Sequence, residues 1–364
     1  MKTKHPTPPV PATVGLHGAT DLPSVVVESY NLEVRDEEGF IGDRASQTAF
    51  RKLLEAWRRR RGQGRGRKKG DPLARVHAAD LTKSEIDRAL QQKEADELTD
   101  AVHGAVEEFA EELATVIKRF SRQKAWKGVE RIVVGGGFPE SDVGERAILQ
   151  AAVMLDADDV PIGLARLRHE VDDGGLIGWV HLAPKRMVTD FDAILALDIG
   201  GTNVRCGIVK PRFKRASDLS KAKVVRRTKW RHVEDSPKQH ELIDGLVEML
   251  EDMVRYAKKH KIRLAPFVGI ACPGLIRADG SIARGAQNLP GNWERDTFHL
   301  PTALCERIPF IGEEPTEALM HNDGVVQGLS ELPFMQDVKR WAVLTIGTGL
   351  GNASYRNKSG KRQS

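Results

Sequence analysis

The sequence predicts an α/β fold. Strands alternate with helices along the chain, and two of the strands run into turns that join glycine to threonine. The first is Ala193-Ile194-Leu195-Ala196-Leu197, followed by Asp198-Ile199-Gly200-Gly201-Thr202-Asn203. The second runs from Trp341 to Ile346 and is followed by Gly347-Thr348-Gly349-Leu350-Gly351. Such alternation builds layers of helix on sheet. The recurring strand–glycine–threonine turn points to two related halves.

The elements can be justified in order. Residues 1–11 are Pro-rich and read as a disordered tail. Thr82-x-x-Glu85 has the form of a helix capping box. Soon after it, Val102, Val106, Phe109, Leu113, Val116 and Phe120 recur at spacings of four and three, with Glu107, Glu108, Glu111 and Glu112 on the other face. Arg131-Ile132-Val133-Val134 is a buried strand that breaks into Gly135-Gly136-Gly137. A helix is expected from near Ser141 to Leu155, then a short strand over Pro161 to Leu167. Gly174 to Trp179 opens a further helix whose small residues allow close packing. Strands follow at Ala193–Leu197, Cys206–Lys210 and Lys223–Lys229. Leu242, Leu246, Leu250 and Val254 mark one face of a helix from Lys238 to His260. Val268 to Ala271 is a strand ending in Pro273-Gly274, and residues 357–364 read as a basic tail.

At 364 residues the chain suffices for two lobes. No apolar run reaches membrane-spanning length, and Met1 to Ala12 lacks the apolar core of a signal peptide. Cys206, Cys272 and Cys305 are far apart, which fits a reduced cytoplasmic compartment and argues against a thiolate zinc site. The net charge of +5 is partly local, in Arg58-Arg59-Arg60-Arg61 with Arg65, Arg67, Lys68 and Lys69. That stretch reads as a solvated loop; the sharper alternative is contact with a polyanion. No helix-turn-helix pattern accompanies it, so sequence-specific DNA binding is not expected.

Five constellations carry chemistry. In Asp198-Ile199-Gly200-Gly201-Thr202 the glycines let backbone N–H groups approach phosphate oxygens, and Asp198 can hold a hydrated Mg²⁺. Gly347-Thr348-Gly349 offers a second phosphate turn. Gly135-Gly136-Gly137 lets a flat ring or ribose lie against the backbone. In Asn322-Asp323 the carboxylate can accept a hydroxyl proton while the amide orients hydroxyls. Asn288, in Ala286 to Pro290, can bond a polyol. The ordinary readings are a tight turn, a flexible loop and a helix N-cap. The combination favours the functional ones.

Together these motifs resemble the ROK family (repressor, open reading frame, kinase) of bacterial sugar kinases and sugar-responsive repressors. The resemblance implies a two-lobe, actin/hexokinase-like (ribonuclease H-like) α/β fold, here in permuted order. Asp198–Thr202 looks like the family's first phosphate motif and Gly347–Gly349 its second. Gly135–Gly137 looks like its adenosine motif. Pro273-Gly274, Asn288 and Asn322-Asp323 look like its sugar and catalytic segment. The family's chain continues past the second phosphate motif through a hairpin into a Glu-x-Gly-His segment. Here that piece is matched near the other end, by His17-Gly18-Ala19 and Val25 to Asn31, with Glu28 as the sugar-binding Glu. Gly39 to Ala56 resembles the start of the next helix. A circular permutation cut at a surface hairpin accounts for the order. It predicts that residues near Tyr355 and Gly15 are close in space.

The resemblance further implies a large lobe of residues 12–171 plus 313–356 and a small lobe of residues 172–312. It implies an ATP- and Mg²⁺-dependent kinase acting on the 6-hydroxyl of a hexose, glucose first, with Asp323 as base. Asn288, Asn322 and Glu28 would hold the other hydroxyls. Polyphosphate is the alternative donor, while Gly135–Gly137 favour ATP. Family members are often dimers, so a homodimer is an expectation. Asn31 stands where the family has a zinc-ligand His, and no cysteine precedes Cys206, so no zinc site is expected. Tyr30 and Asn31 are candidates to order the sugar loop instead, and only Asp43 can substitute for a further sugar-binding Glu. A non-catalytic sugar sensor is the second reading. The family's repressors carry an N-terminal DNA-binding domain, and residues 1–24 are too short and Pro-rich for one.

Overall fold

The computed structural model describes residues 15–62, 76–92 and 96–358. The expected tail at 1–11, most of that at 357–364, and Arg65, Arg67, Lys68 and Lys69 lie outside the described residues. In chain order the elements are β1 (Val25–Tyr30), β2 (Arg35–Asp36), β3 (Gly39–Phe40), α1 (Gln47–Gly62), α2 (Lys83–Gln91), α3 (Glu97–Ser121), β4 (Arg131–Gly135), α4 (Asp142–Ala157) and β5 (Gly163–Arg166). They continue with α5 (Val171–Ile177), α6 (Lys185–Thr189), β6 (Ala193–Ile199), β7 (Val204–Lys210), β8 (Lys223–Trp230), α7 (His232–Asp235), α8 (Gln239–Lys259) and β9 (Leu264–Cys272). Then come β10 (Leu275–Ile276), β11 (Ile282–Arg284), α9 (Leu300–Arg307), β12 (Phe310–Ile311), β13 (Glu314–Pro315), β14 (Glu317–Asn322), α10 (Asp323–Leu329), β15 (Arg340–Ile346) and β16 (Leu350–Asn357).

The contacts divide the chain into two compact units. The first comprises residues 15–27, 175–333 and 356–358, the second residues 28–174 and 334–355. Residues 15–27, expected in the large lobe, group with residues 175–333. Residues 313–333, expected in the large lobe, group instead with 175–312. The reason is β14, which pairs in parallel with β9 from Glu317 opposite Phe267 to Asn322 opposite Cys272.

The first unit holds a five-stranded sheet in the order β14-β9-β6-β7-β8. β6, β7 and β8 run antiparallel in succession, and β9 and β14 continue parallel to β6. α8 covers this sheet with Leu242, Leu246 and Leu250, all fully buried, and with the partly buried Val254. The second unit holds a five-stranded sheet in the order β1-β16-β15-β4-β5. β15, β4 and β5 are parallel neighbours. β1 lies antiparallel to β16, since Asn31 N donates to Asn352 O and Lys358 N to Ser24 O. Trp341 and Tyr355 stack across β15 and β16 with ring centroids 4.0 Å apart.

α3 buries the six apolar residues read from its spacing, while its glutamates are exposed or half-buried. The capping box is present at α2: Thr82 Oγ1 accepts from Glu85 N, and Thr82 N donates to Glu85 Oε2. One expectation is corrected. Arg58 to Arg61 are not loop but the last turns of α1. Arg is a good helix former, Arg59 pairs with Glu55 on its own helix at 3.1 Å, and Arg60 reaches Glu108 on α3 at 3.5 Å.

Candidate active site

The parallel strands of the first unit end at one level. Asp198 of β6 lies opposite Ala271 of β9, which lies opposite His321 of β14. The carboxyl ends of parallel strands form the rim where ligands gather in α/β sheets. Three residues on this rim carry polar chemistry: Asp198, Asn322 at the end of β14, and Asp323 at the start of α10.

Asp198 is half-buried. Arg205 sits directly opposite it on β7 and donates Nη1 to Asp198 Oδ2 at 3.2 Å. A Cβ added at Gly175 would come within 2.7–3.0 Å of the Asp198 carboxylate, so a side chain there would displace that carboxylate. Asn322 is buried and its amide is committed to backbone. Oδ1 accepts from Val325 N at 3.2 Å, capping α10, and Nδ2 donates to Gly274 O at 3.0 Å. The residue expected to orient hydroxyls is therefore placed as the clamp that sets where α10 begins. His321 reinforces it. Its Nε2 donates to Ala19 O at 2.9 Å and its Nδ1 accepts from Asn322 N at 2.7 Å. Burial lowers the His321 pKa to about 4, so the ring is neutral at physiological pH.

Asp323 accepts from Gly324 N at 2.9 Å through Oδ1. Burial, and then the Asp198 charge, push its pKa up to about 6. That suits a carboxylate that must accept a proton near neutrality. Cys272 is buried beside it, its thiol pushed well above the usual range by burial and by the charges of Asp323 and Asp198. It is not a nucleophile at neutral pH.

The Gly200–Thr202 turn joins β6 to β7, with Gly200 N donating to Asn203 O at 2.9 Å. A Cβ on Gly201 would lie 2.8 Å from Asn288 Cβ, so the turn rests on the Asn288 loop. The first unit thus gathers Asp198, Gly200, Gly201, Thr202, Asn288, Asn322 and Asp323. Among the described residues no group of three or more His, Cys, Asp or Glu could hold a metal. A Mg²⁺ beside Asp198 would take that one carboxylate, with water and phosphate oxygens completing its shell. The donor set fits such an ion, which would also relieve the repulsion between Asp198 and Asp323.

The second unit brings its two glycine segments together. Gly347–Gly349 joins β15 to β16, and Gly135–Gly137 ends the parallel neighbour β4. Gly136 has φ +90°, and a Cβ there would lie 2.5 Å from Ile346 O. Phe138 N donates to that same carbonyl at 3.1 Å. Glu28 is also in this unit. Its Oε2 accepts from Arg340 Nη1 at 2.8 Å. Arg340 begins β15, about 20 Å of strand from the Gly347 turn. The structure therefore ties the expected sugar-binding Glu28 to the end of β15 remote from the turn.

Sequence reasoning missed Arg205 and the pairing of residues 17–19 with β14. Arg205 was legible, because strands joined by a short turn place facing residues on one register line. That pairing was not. Gly18 N donates to Met320 O and Met320 N donates to His17 Nδ1, both at 3.0 Å, across some three hundred residues.

No family model matches the chain, and no curated protein matches it. Among solved structures it is similar to the Lmo2764 protein from Listeria monocytogenes, which bears the provisional name of an N-acetylmannosamine kinase. The two share 22% identity over 47% of this chain and 50% of that one, with a TM-score of 0.32. The chain spans about half the length of that protein. What the structure itself defines is a mixed α/β chain with two five-stranded sheets, and polar residues gathered at one strand rim. No helix among the described residues is long and apolar enough to cross a membrane.

Proposed function

We propose that this chain is a ROK-type sugar kinase that transfers the γ-phosphoryl group of ATP to the 6-hydroxyl of a hexose, glucose first. The observation that carries the reading is Asp323. It is a half-buried carboxyl at a clamped helix start, its pKa raised to about 6 and its field shared with Asp198. In this reading Asp323 takes the 6-hydroxyl proton as the sugar oxygen bonds to the γ-phosphorus and ADP departs. Asn288, beside the first phosphate turn, holds a neighbouring hydroxyl. Asn322 positions the base. Mg²⁺ held through Asp198 supplies charge neutralisation on the phosphates. The adjoining Gly347–Gly349 and Gly135–Gly137 segments support a nucleoside triphosphate as donor.

The strand orders support the permutation. The first sheet reads third, second, first, fourth, fifth along β6, β7, β8, β9 and β14. The second sheet reads the same if β15 and β16 are counted before β1, β4 and β5. Each phosphate turn then joins the first two strands of its sheet. Lys358 also adjoins the start of the described chain, with N on Ser24 O at 2.9 Å and Nζ on Asp21 at 2.7 Å.

The test is Mg²⁺-dependent phosphorylation across a hexose panel, with ATP and polyphosphate as donors. Turnover of one hexose, falling roughly 10²-fold or more in Asp323→Asn, is the expected result. Turnover indifferent to that substitution would sink the base assignment. Tight sugar binding without turnover would favour a sensor.

A further inference from the structure

The first phosphate turn is held from behind. His232 is 2% exposed, and its Nε2 lies 2.8 Å from Gly200 O. A carbonyl only accepts, so Nε2 carries the proton. One residue on, Val233 N donates to Thr202 O at 3.4 Å. The imidazole is itself fixed. Trp230 meets it edge-on with centroids 6.0 Å apart, and Trp230 wedges against Gly245 of α8, where a Cβ would lie 2.4 Å from the indole.

In a trans peptide the C=O of one residue and the N–H of the next point in opposite directions. No cis peptide occurs among the described residues. Pinning Gly200 O and Thr202 O therefore turns Gly201 N–H and Asn203 N–H away from His232. Neither amide donates to the protein among the described residues. The second unit treats its own turn alike: Gln47 N donates to Gly347 O and Thr48 Oγ1 to Thr348 O, both at 2.8 Å.

We propose that His232 is a positioning residue for phosphate binding: by holding the Gly200 carbonyl it aims the Gly201 and Asn203 amides at the phosphates of the donor nucleotide. The assignment rests on the kinase reading. It gives work to a buried histidine that lies outside the rim of Asp198 and Asp323. Preset amides bind an anion without reorganising, whereas a turn free to flip its peptides presents them only part of the time.

The test uses titration calorimetry of the full chain with ATP·Mg²⁺, with pyrophosphate and with glucose. The variants are His232→Gln, whose amide N–H can still reach Gly200 O, and His232→Phe, which fills the space without a donor. Melting temperatures check that both fold. The expected result is at least tenfold weaker ATP and pyrophosphate binding in His232→Phe, near wild-type binding in His232→Gln, and unchanged glucose affinity in both. Wild-type-like ATP binding by a folded His232→Phe would overturn the assignment and leave the kinase reading standing. Equal weakening in both variants would also overturn it, as would matched loss of glucose binding, since either marks a merely structural role. A wild-type protein that binds neither ATP nor pyrophosphate would bring down both readings.

Discussion

At Asp323 the proposed role as base and the stability of the fold pull in opposite directions. Its carboxyl has a pKa near 6 in the fold against the usual 3.8, so the folded state resists its ionisation. The two states bind protons equally below about pH 4, and the penalty grows as pH rises towards 6, reaching up to about 3 kcal/mol. Burial acts oppositely on His321. With a pKa near 4 against 6.5, it stays neutral in the fold while the unfolded chain takes a proton, so its contribution is lost as pH falls from 6.5 to 4. In the wild type the two slopes largely cancel between pH 4 and 6. Asp323→Asn should therefore be more stable than wild type at pH 8, with stability rising more steeply from pH 4 to 6.5. Denaturant melts across that range measure both effects. On the proposed mechanism the same carboxyl governs the pH profile: kcat/KM should climb about tenfold per pH unit below 6 and level above it, because only ionised Asp323 would accept a proton. A profile flat through pH 6 would exclude Asp323 as the base. Gly175→Ala belongs at this scale too. A methyl beside the Asp198 carboxylate should cost at least tenfold in kcat/KM and shift the Mg²⁺ dependence, read by steady-state kinetics.

At the scale of elements, the junction of β14 and α10 shows what a sequence can and cannot carry. Asp323 was legible as a carboxylate at a helix start, and the structure places it at the first residue of α10. The fate of the Asn322 amide was not, since its partner Gly274 lies 48 residues away and is brought near only by the pairing of β9 with β14. Asn322→Ala should lose both the cap and the clamp, lowering stability by roughly 1–3 kcal/mol and kcat more than the hexose KM. Thermal melts and kinetics together check this. Elements with a strong apolar period, α3 and α8, were readable because burial of one helix face is a local property. Glu28 shows the opposite case: its match was a matter of position in a string, whereas its ion pair with Arg340 depends on β1 and β15 sharing a sheet. The arginine run of α1 misled because charge reads as solvation, although arginine favours helix and the partnering glutamates sit on α1 and α3.

For the molecule as a whole, the shared strand order makes a direct prediction about connectivity. A variant joining residue 358 to residue 17 by a short flexible linker, with new ends between Asp190 and Phe191, should keep the fold and turnover within a few-fold. Circular dichroism and the kinase assay check it; an unfolded product would count against the permutation. The placement of β16 has a consequence for how the protein is made. It follows every other described strand along the chain, yet it lies inside its sheet between β1 and β15. Leu32, just past β1, finds its Asn352 partner only 320 residues later. The strands of the first sheet, by contrast, are made within one continuous stretch. Until β16 is made, then, the second sheet lacks its centre, and the bare edges this leaves recruit other chains. Termination anywhere before β16 should yield nascent chains that depend on chaperones and aggregate without them.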